Sequence, residues 1–276
     1  MTEEAITPGP LVGTGRTAEL YAWSEGKVLK LYRADMPEHW AYHEAWVARI
    51  VVDAGLSAPA LGAPLGQPDQ DVIRVDGRLG IVYQRLEGPS MLDQLGQQPG
   101  DAAQLARQFA TLHLQMHAIS HPQLPSQREA LVQAVHYAPR LSDRVKERVL
   151  QRLTQLPDGQ ALCHGDFHPG NVLMTASGPV VIDWMTATAG HPLADVARTT
   201  LMFRTARVPS DYDASMRLVF QQVRDGFYAT YLHCYREQRP FPLAEMEAWI
   251  PVLAAARLNE GIADEREALL RLVGEA

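Results

Sequence analysis

The residues best equipped by type and spacing for chemistry lie in His164-Gly165-Asp166-Phe167-His168-Pro169-Gly170-Asn171. This run is followed by the apolar Val172-Leu173-Met174 and then by Val181-Ile182-Asp183-Trp184. A carboxylate five residues ahead of an amide, on a loop leaving a strand, is the pattern of a phosphoryl-transfer loop. There the acid aligns an attacking hydroxyl and the amide holds a divalent cation. Asp183, at the end of the next strand, supplies a second carboxylate for that cation. A triphosphate needs it, because unit charges about 4 Å apart repel by roughly 4 kcal/mol even at an effective dielectric near 20. Two other readings compete. A polar turn between strands accounts for the Gly, Pro, Asp and Asn content but not for the spacing. A metal-dependent hydrolase would take His164, Asp166 and His168 as ligands but leaves Asn171 and Asp183 without a task.

A second group of candidates lies near the N-terminus. Gly13-Thr14-Gly15-Arg16-Thr17-Ala18 is glycine-rich enough to cover phosphates. It also fits a dinucleotide fingerprint, but that fingerprint needs a long helix directly after the glycines. Here Glu19–Trp23 runs at once into a turn and another strand, so a hairpin lid fits better; a ligand-free glycine turn is the plain alternative. No Walker A sequence is present. Lys30, in Val28-Leu29-Lys30-Leu31-Tyr32, sits where a kinase lysine reaches the inner phosphates. Glu44 on the following helix is its expected ion-pair partner, with Glu38 as competitor.

Residues 11–32 alternate in β fashion, with Ser24-Glu25-Gly26 as a turn. Helical spacing follows over 37–54 and stops at Gly55. After the Pro/Gly-rich stretch 57–68, two β runs flank Asp76-Gly77, a hairpin signal. Beyond Glu87-Gly88-Pro89 the pattern becomes helical. Leu105, Phe109, Leu112, Met116 and Ile119 line a helix over 101–120, and Val145, Val149, Leu153 and Leu156 mark another. Helices are also expected over 192–205, 213–237, 243–258 and 262–273, with short strands at 161–163 and 180–182. His113 and His117 read as helix-packing histidines, since a zinc-protease glutamate is missing.

The stretch Leu162–Leu173, together with Ile182-Asp183-Trp184 and Gly190-His191-Pro192-Leu193-Ala194-Asp195-Val196-Ala197, resembles the aminoglycoside phosphotransferase and choline kinase-like family. The resemblance implies a protein-kinase-like α+β fold. Its small N-terminal nucleotide-binding lobe, residues 1–86, would have an antiparallel sheet and one helix. Its larger, mostly helical catalytic and substrate-binding lobe would be 87–276, with a triphosphate between the two. It also implies that Asp166 is the base, that Asn171 and Asp183 bind Mg2+, that Asp195 braces the loop from a helix N-terminus, and that His164 is structural. By the same analogy the backbone from Gln84 to Leu86 meets the adenine edge. The family commonly has an acidic residue where this chain has His191.

The implied activity is transfer of the γ-phosphoryl group of ATP or GTP to a hydroxyl of a small acceptor, such as an aminoglycoside or amino alcohol. A catalytically silent nucleotide-binding protein is the alternative from another class. Protein phosphorylation is disfavoured because no Ala-Pro-Glu segment follows Asp183. For the acceptor, Asp225, Glu260, Asp264, Glu265 and Glu267 are acidic candidates and Trp184, Tyr231 and Trp249 aromatic ones, with ordinary surface charges and core aromatics as the plainer reading of most of them. The net charge of −7 over 276 residues opposes general binding to nucleic acid or an anionic membrane. Cys163 and Cys234 read as reduced thiols. The acidic start and the lack of a long apolar run place the chain in the cytoplasm.

Overall fold

The computed structural model describes residues 8–24, 26–62, 71–208 and 213–274. Glu25 of the expected turn and residues 63–68 of the Pro/Gly-rich stretch lie outside them. The chain forms two compact units: residues up to Pro89 with Val172–Thr186, and Ser90–Asn171 with Ala187–Ala276.

In the first unit, β1 (Leu11–Thr14), β2 (Ala18–Ala22), β3 (Lys27–Tyr32), β4 (Val72–Val75) and β5 (Arg78–Gln84) form an antiparallel sheet in the order β1-β2-β3-β5-β4. Asp76 and Gly77 take φ of 49° and 78° between β4 and β5, the left-handed pair that an Asp-Gly hairpin turn requires. Strand alternation then assigns faces. Leu29 and Leu31 pack with Ile73, Val75 and Val82 on one side. Tyr32 packs with Ile81, Tyr83 and α1 (Glu38–Asp53) on the other, which is also the side of Lys30.

Helix α1 buries Ala41, Ala45, Val47, Ala48 and Val51, and Glu44 lies within that buried stripe. It ends in a Schellman turn, where Gly55 at φ 76° donates to the Val52 carbonyl and Leu56 to that of Val51. The hairpin β7 (Val172–Thr175) and β8 (Gly178–Val181) also belongs to this unit. The apolar run at 172–174 is therefore itself a strand, and its partner ends one residue earlier than the expected 180–182.

The second unit is mostly helical. It contains α2 (Met91–Gln97), α3 (Ala102–His117), α4 (Gln127–Tyr137), α5 (Asp143–Gln155), α6 (Pro192–Thr205), α7 (Ala214–Gln238), α8 (Leu243–Glu247), α9 (Ile250–Arg257) and α10 (Arg266–Val273). The helix expected over 243–258 is broken because Pro251, in the first turn of α9, has no N–H with which to continue a helix from before it. Strand β6 (Ala161–Cys163) pairs with β9 (Thr188–Gly190) and not with the 178–181 segment. Among the described residues no helix is long and apolar enough to cross a membrane.

Candidate active site

In the second unit the loop after β6 is gripped by one face of α6. Asp195, in the first turn, accepts from the backbone N–H groups of His164 (2.7 Å) and Gly165 (2.8 Å). Arg198, one turn on, donates from Nε to the Gly165 carbonyl at 3.0 Å, and the Thr199 hydroxyl donates to the Phe167 carbonyl at 2.8 Å. Phe167 is itself buried and stacks on Phe109 of α3, with ring centroids 4.0 Å apart. His164, fully buried, accepts the Asp166 N–H on Nδ1 at 3.2 Å. The loop is thus over-determined by backbone contacts, and its polar side chains can be aimed.

Asp166 keeps 28% of its side chain exposed. His168 Nε2 lies 3.6 Å from Oδ2, while Arg198 and Arg257 lie 3.6 and 3.9 Å from Oδ1. Burial would raise the carboxyl's pKa, but His168 and Arg198 outweigh that and hold it well below the usual carboxylate range. The tautomer of a neutral His168 is set locally, because Nδ1 accepts the Gly170 N–H at 3.1 Å and the proton therefore sits on Nε2. Asn171 closes a tight turn and donates from Nδ2 to the Asp166 carbonyl at 2.9 Å. Its amide oxygen is then the end suited to a hard cation.

Behind the loop, Asp195 also accepts from His113 Nε2 (3.1 Å) and His117 Nε2 (3.3 Å). The other ring nitrogens, Nδ1 of each, receive the hydroxyls of Tyr231 (2.8 Å) and Tyr235 (2.7 Å) from α7. Burial depresses both imidazoles, His117 to about 4, so each is a neutral donor at Nε2. Asp195 stays ionised despite its burial, held low by the hydrogen bonds from His113 and His117. His113, His117 and Asp195 are the metal-capable cluster that converges among the described residues, and tyrosine hydroxyls and backbone amides complete it as a hydrogen-bond network. The hydrolase triad His164, Asp166 and His168 does not gather in this way, because Nδ1 of each histidine is engaged by the loop's own backbone.

In the first unit, Lys30 Nζ reaches Glu44 at 2.7 and 2.8 Å and Asp183 Oδ1 at 2.8 Å. Glu38 is not the partner; it pairs with Arg74. Burial alone would lower the lysine's pKa, but the two carboxylates reverse this and keep the ammonium above its ordinary value. Glu44 also receives the hydroxyls of Tyr32 and Tyr83. Asp183 sits at φ 65°, a left-handed conformation uncommon for a residue with a side chain, and its side chain is 38% exposed. An aspartate already beside an ammonium and open to solvent suits a divalent cation.

The turn between β1 and β2 is tied down by Arg33, which donates to the carbonyls of Gly15 (3.0 Å) and Arg16 (3.1 Å). Glu19 and Arg78 extend this brace. Gly13 and Gly15 do not need a left-handed backbone; a Cβ on Gly13 would come 3.3 Å from Leu20, and Gly15 is exposed. Gln84 gives its N–H to the Ala60 carbonyl, and Arg85 gives its own to Gly26. The Leu86 N–H has no backbone partner among the described residues.

The aromatic candidates for the acceptor pack in the core, and some of the acidic ones are engaged by arginines. Tyr231, Trp249 and Trp184 are core residues, at most 2% exposed, and cannot wall an open pocket. Glu265 is buried against Arg257, and Asp225 pairs with Arg224. Sequence reasoning missed Arg198 and Arg257 around Asp166 and Arg33 at the glycine turn, and considered His168 only as a metal ligand. Arg198 was findable as the residue three after Asp195 on the same helix face; Arg257 carried no local signal. His191, the departure from the family pattern, caps α6 by accepting the Leu193 N–H on Nδ1 at 3.3 Å. Burial lowers its pKa, which favours that neutral acceptor form.

No curated protein matches the chain in sequence. Among solved structures, the amicoumacin kinase hAmiN in complex with AMP-PNP, Ca2+ and Ami shares 18% identity over 96% of this chain and 86% of that one, with a TM-score of 0.62. A thermostable mutant of aminoglycoside phosphotransferase APH(4)-Ia, bound to AMP-PNP and hygromycin B, shares 14% over 96% and 90%, with a TM-score of 0.66. The streptomycin-ATP-APH(2")-IIa complex shares 15% over 98% and 92%, with a TM-score of 0.60. At such identities the likeness is one of fold, and that fold is the kinase-like α+β one. The sequence profile of the phosphotransferase enzyme family matches residues 16–249. The chain belongs to the phosphotransferase enzyme family, whose members move a phosphoryl group onto an alcohol of a small molecule.

Proposed function

We propose that the protein transfers the γ-phosphoryl group of ATP or GTP to a hydroxyl of a small, amine-bearing acceptor of the aminoglycoside or amino-alcohol type. The observation that carries this is the arrangement of one loop: Asn171 commits its amide nitrogen to the Asp166 carbonyl, which leaves its amide oxygen as the end for a cation, while the Asp166 carboxylate stays part-exposed for a hydroxyl. The ATP expectation is supported by neighbours solved with AMP-PNP or ATP. The acceptor class is supported by neighbours whose complexes hold hygromycin B and streptomycin.

On this proposal Asp166 aligns the acceptor hydroxyl and takes its proton late in the transfer. Lys30 contacts the phosphates, Glu44 keeps the lysine oriented, and the arginine-braced turn at Gly13 and Gly15 covers them. Gln84 and Leu86 meet the base, residues 1–86 serving as the nucleotide-binding lobe and 87–276 as the catalytic and substrate-binding lobe. His164 and Asp195 hold the loop. Asn171 and Asp183 would hold Mg2+, a choice supported by their hard oxygen donors and the accessibility of Asp183. The metal's contribution when bound is to offset the charge of the triphosphate. Because phosphoryl transition states are loose, positioning and charge neutralisation matter more than a strongly basic Asp166, which fits its lowered pKa.

The test is a coupled diphosphate-release screen of ATP and GTP, with magnesium, against aminoglycosides, macrolides, amino alcohols and sugars. Acceptor-dependent release with an amine-bearing alcohol is expected. Release only with neutral sugars would overturn the acceptor class.

A further inference from the structure

The side chain of Asp166 is held unequally at its two oxygens. Oδ1 faces two buried guanidiniums, those of Arg198 and Arg257, whereas Oδ2 faces the single Nε2–H of His168 on the loop itself. Arg198 is 8% exposed and cannot reach out to a ligand in solution. It nevertheless links three groups: its Nε holds the Gly165 carbonyl, and its Nη2 meets both Glu260 and, at 3.6 Å, Asp166. Glu260 is shared with Arg257 Nη1 at 2.9 Å, and Arg257 in turn is locked by Glu265 through a two-pronged pair at 2.5 and 2.8 Å. The Thr205 hydroxyl fixes Glu265 from α6 at 3.1 Å. Charges alternate along this chain of contacts, so each guanidinium has a defined direction. A planar guanidinium that hydrogen-bonds the backbone at 165 and holds its charge 3.6 Å from Asp166 Oδ1 biases the rotation of that carboxylate from a fixed direction, which a flexible point charge cannot do.

We propose that Arg198 is a positioning residue for phosphoryl transfer: it pins Oδ1 of Asp166, so that Oδ2 is the oxygen presented to the acceptor hydroxyl. This rests on the assignment of Asp166 above. In the step concerned, the acceptor oxygen bonds to the γ-phosphorus and the bond from that phosphorus to the bridging oxygen breaks. The hydroxyl proton passes to Oδ2 and the nucleoside diphosphate leaves. Arg198 touches none of the reacting atoms. Its effect is geometric, and a misplacement of about 1 Å at such a group costs on the order of 100-fold in rate.

The experiment compares Arg198→Lys, Arg198→Gln and Asp166→Asn with the wild type. Diphosphate release from magnesium-ATP is followed with the acceptor found by the screen, or with water as acceptor where none is found. AMP-PNP affinity is measured on the same samples. Both Arg198 variants should lose roughly 100-fold in kcat, the lysine included, while AMP-PNP affinity and the KM for ATP stay within about threefold. If the glutamine variant does not fold, the lysine variant decides. Wild-type kcat in Arg198→Lys beside an inactive Asp166→Asn would overturn the role of Arg198 alone. So would a kcat loss matched by an equal loss of AMP-PNP affinity, which would mark a structural role. Full turnover by Asp166→Asn would instead overturn the assignment of Asp166.

Discussion

Lys30 shows how a single charged side chain is fixed between two carboxylates. Alternation in β3 turns it toward α1, and Glu44 arrives there one turn after Ala41 in a stripe that is otherwise alanine, valine and isoleucine. The carboxylate is therefore buried with its partner, and removing it leaves an ammonium with Asp183 alone. Losing one member of a buried pair costs about 3–5 kcal/mol. Glu44→Ala should lower unfolding stability in urea by about 3 kcal/mol; a change of only a few tenths would show that the pair is dispensable. The partnership of Lys30 and Glu44 was legible in the sequence because both sit at defined points of regular elements. The left-handed Asp183 and the pairing of Lys30 with it were not, since they depend on a turn whose residues are 153 positions away.

Among the elements, α6 and the α3–α7 pair determine whether the loop that carries Asp166 keeps its shape. His113 and His117 are spaced one turn apart on α3, and Tyr231 and Tyr235 likewise on α7, so two rungs form between the helices and meet Asp195 on α6. Tyr231→Phe strips a buried nitrogen of its donor and should cost about 1–3 kcal/mol, read by thermal or urea unfolding. The histidines also give a sign to the acid response. The folded His117 titrates near 4, below the ordinary value of about 6.5. Between these limits the unfolded chain binds the proton and the folded one does not, so stability falls as pH drops from about 6.5 toward 4, by on the order of 3 kcal/mol for that group. The lowered Asp195 acts in the same direction below about pH 4. A urea midpoint unchanged between pH 7 and pH 4.5 would contradict this. The helical spacing of these four residues is visible in the sequence, whereas their convergence is not, because nothing local in α3 or α7 specifies the partner. α4 was missed for a related reason: it buries only Gln127, Leu131 and Val135, too narrow a stripe to stand out.

For the whole molecule, the chain runs directly from Asn171 into the β7–β8 hairpin and out toward Asp183, so one short hairpin connects the two proposed metal ligands in sequence. Asn171→Ala should raise the magnesium concentration for half-maximal turnover by roughly tenfold, in line with the loss of one ligand of about 1.4 kcal/mol. An unshifted magnesium requirement would remove Asn171 from the metal site. The kinase-like class and the loop from His164 to Asn171 were readable because their residues are close in sequence. The surroundings of Asp166 were not, since Arg198 and Arg257 reach it from α6 and α9, far from the loop in sequence. What everything else depends on is the proposal that Asp166 aligns the hydroxyl. The most direct measurement is single-turnover phosphoryl transfer by Asp166→Asn under saturating magnesium-ATP and acceptor. Transfer should fall at least 1,000-fold, on the order of losing a positioned base together with its alignment, while AMP-PNP still binds with near wild-type affinity. A transfer rate within tenfold of the wild type would contradict it.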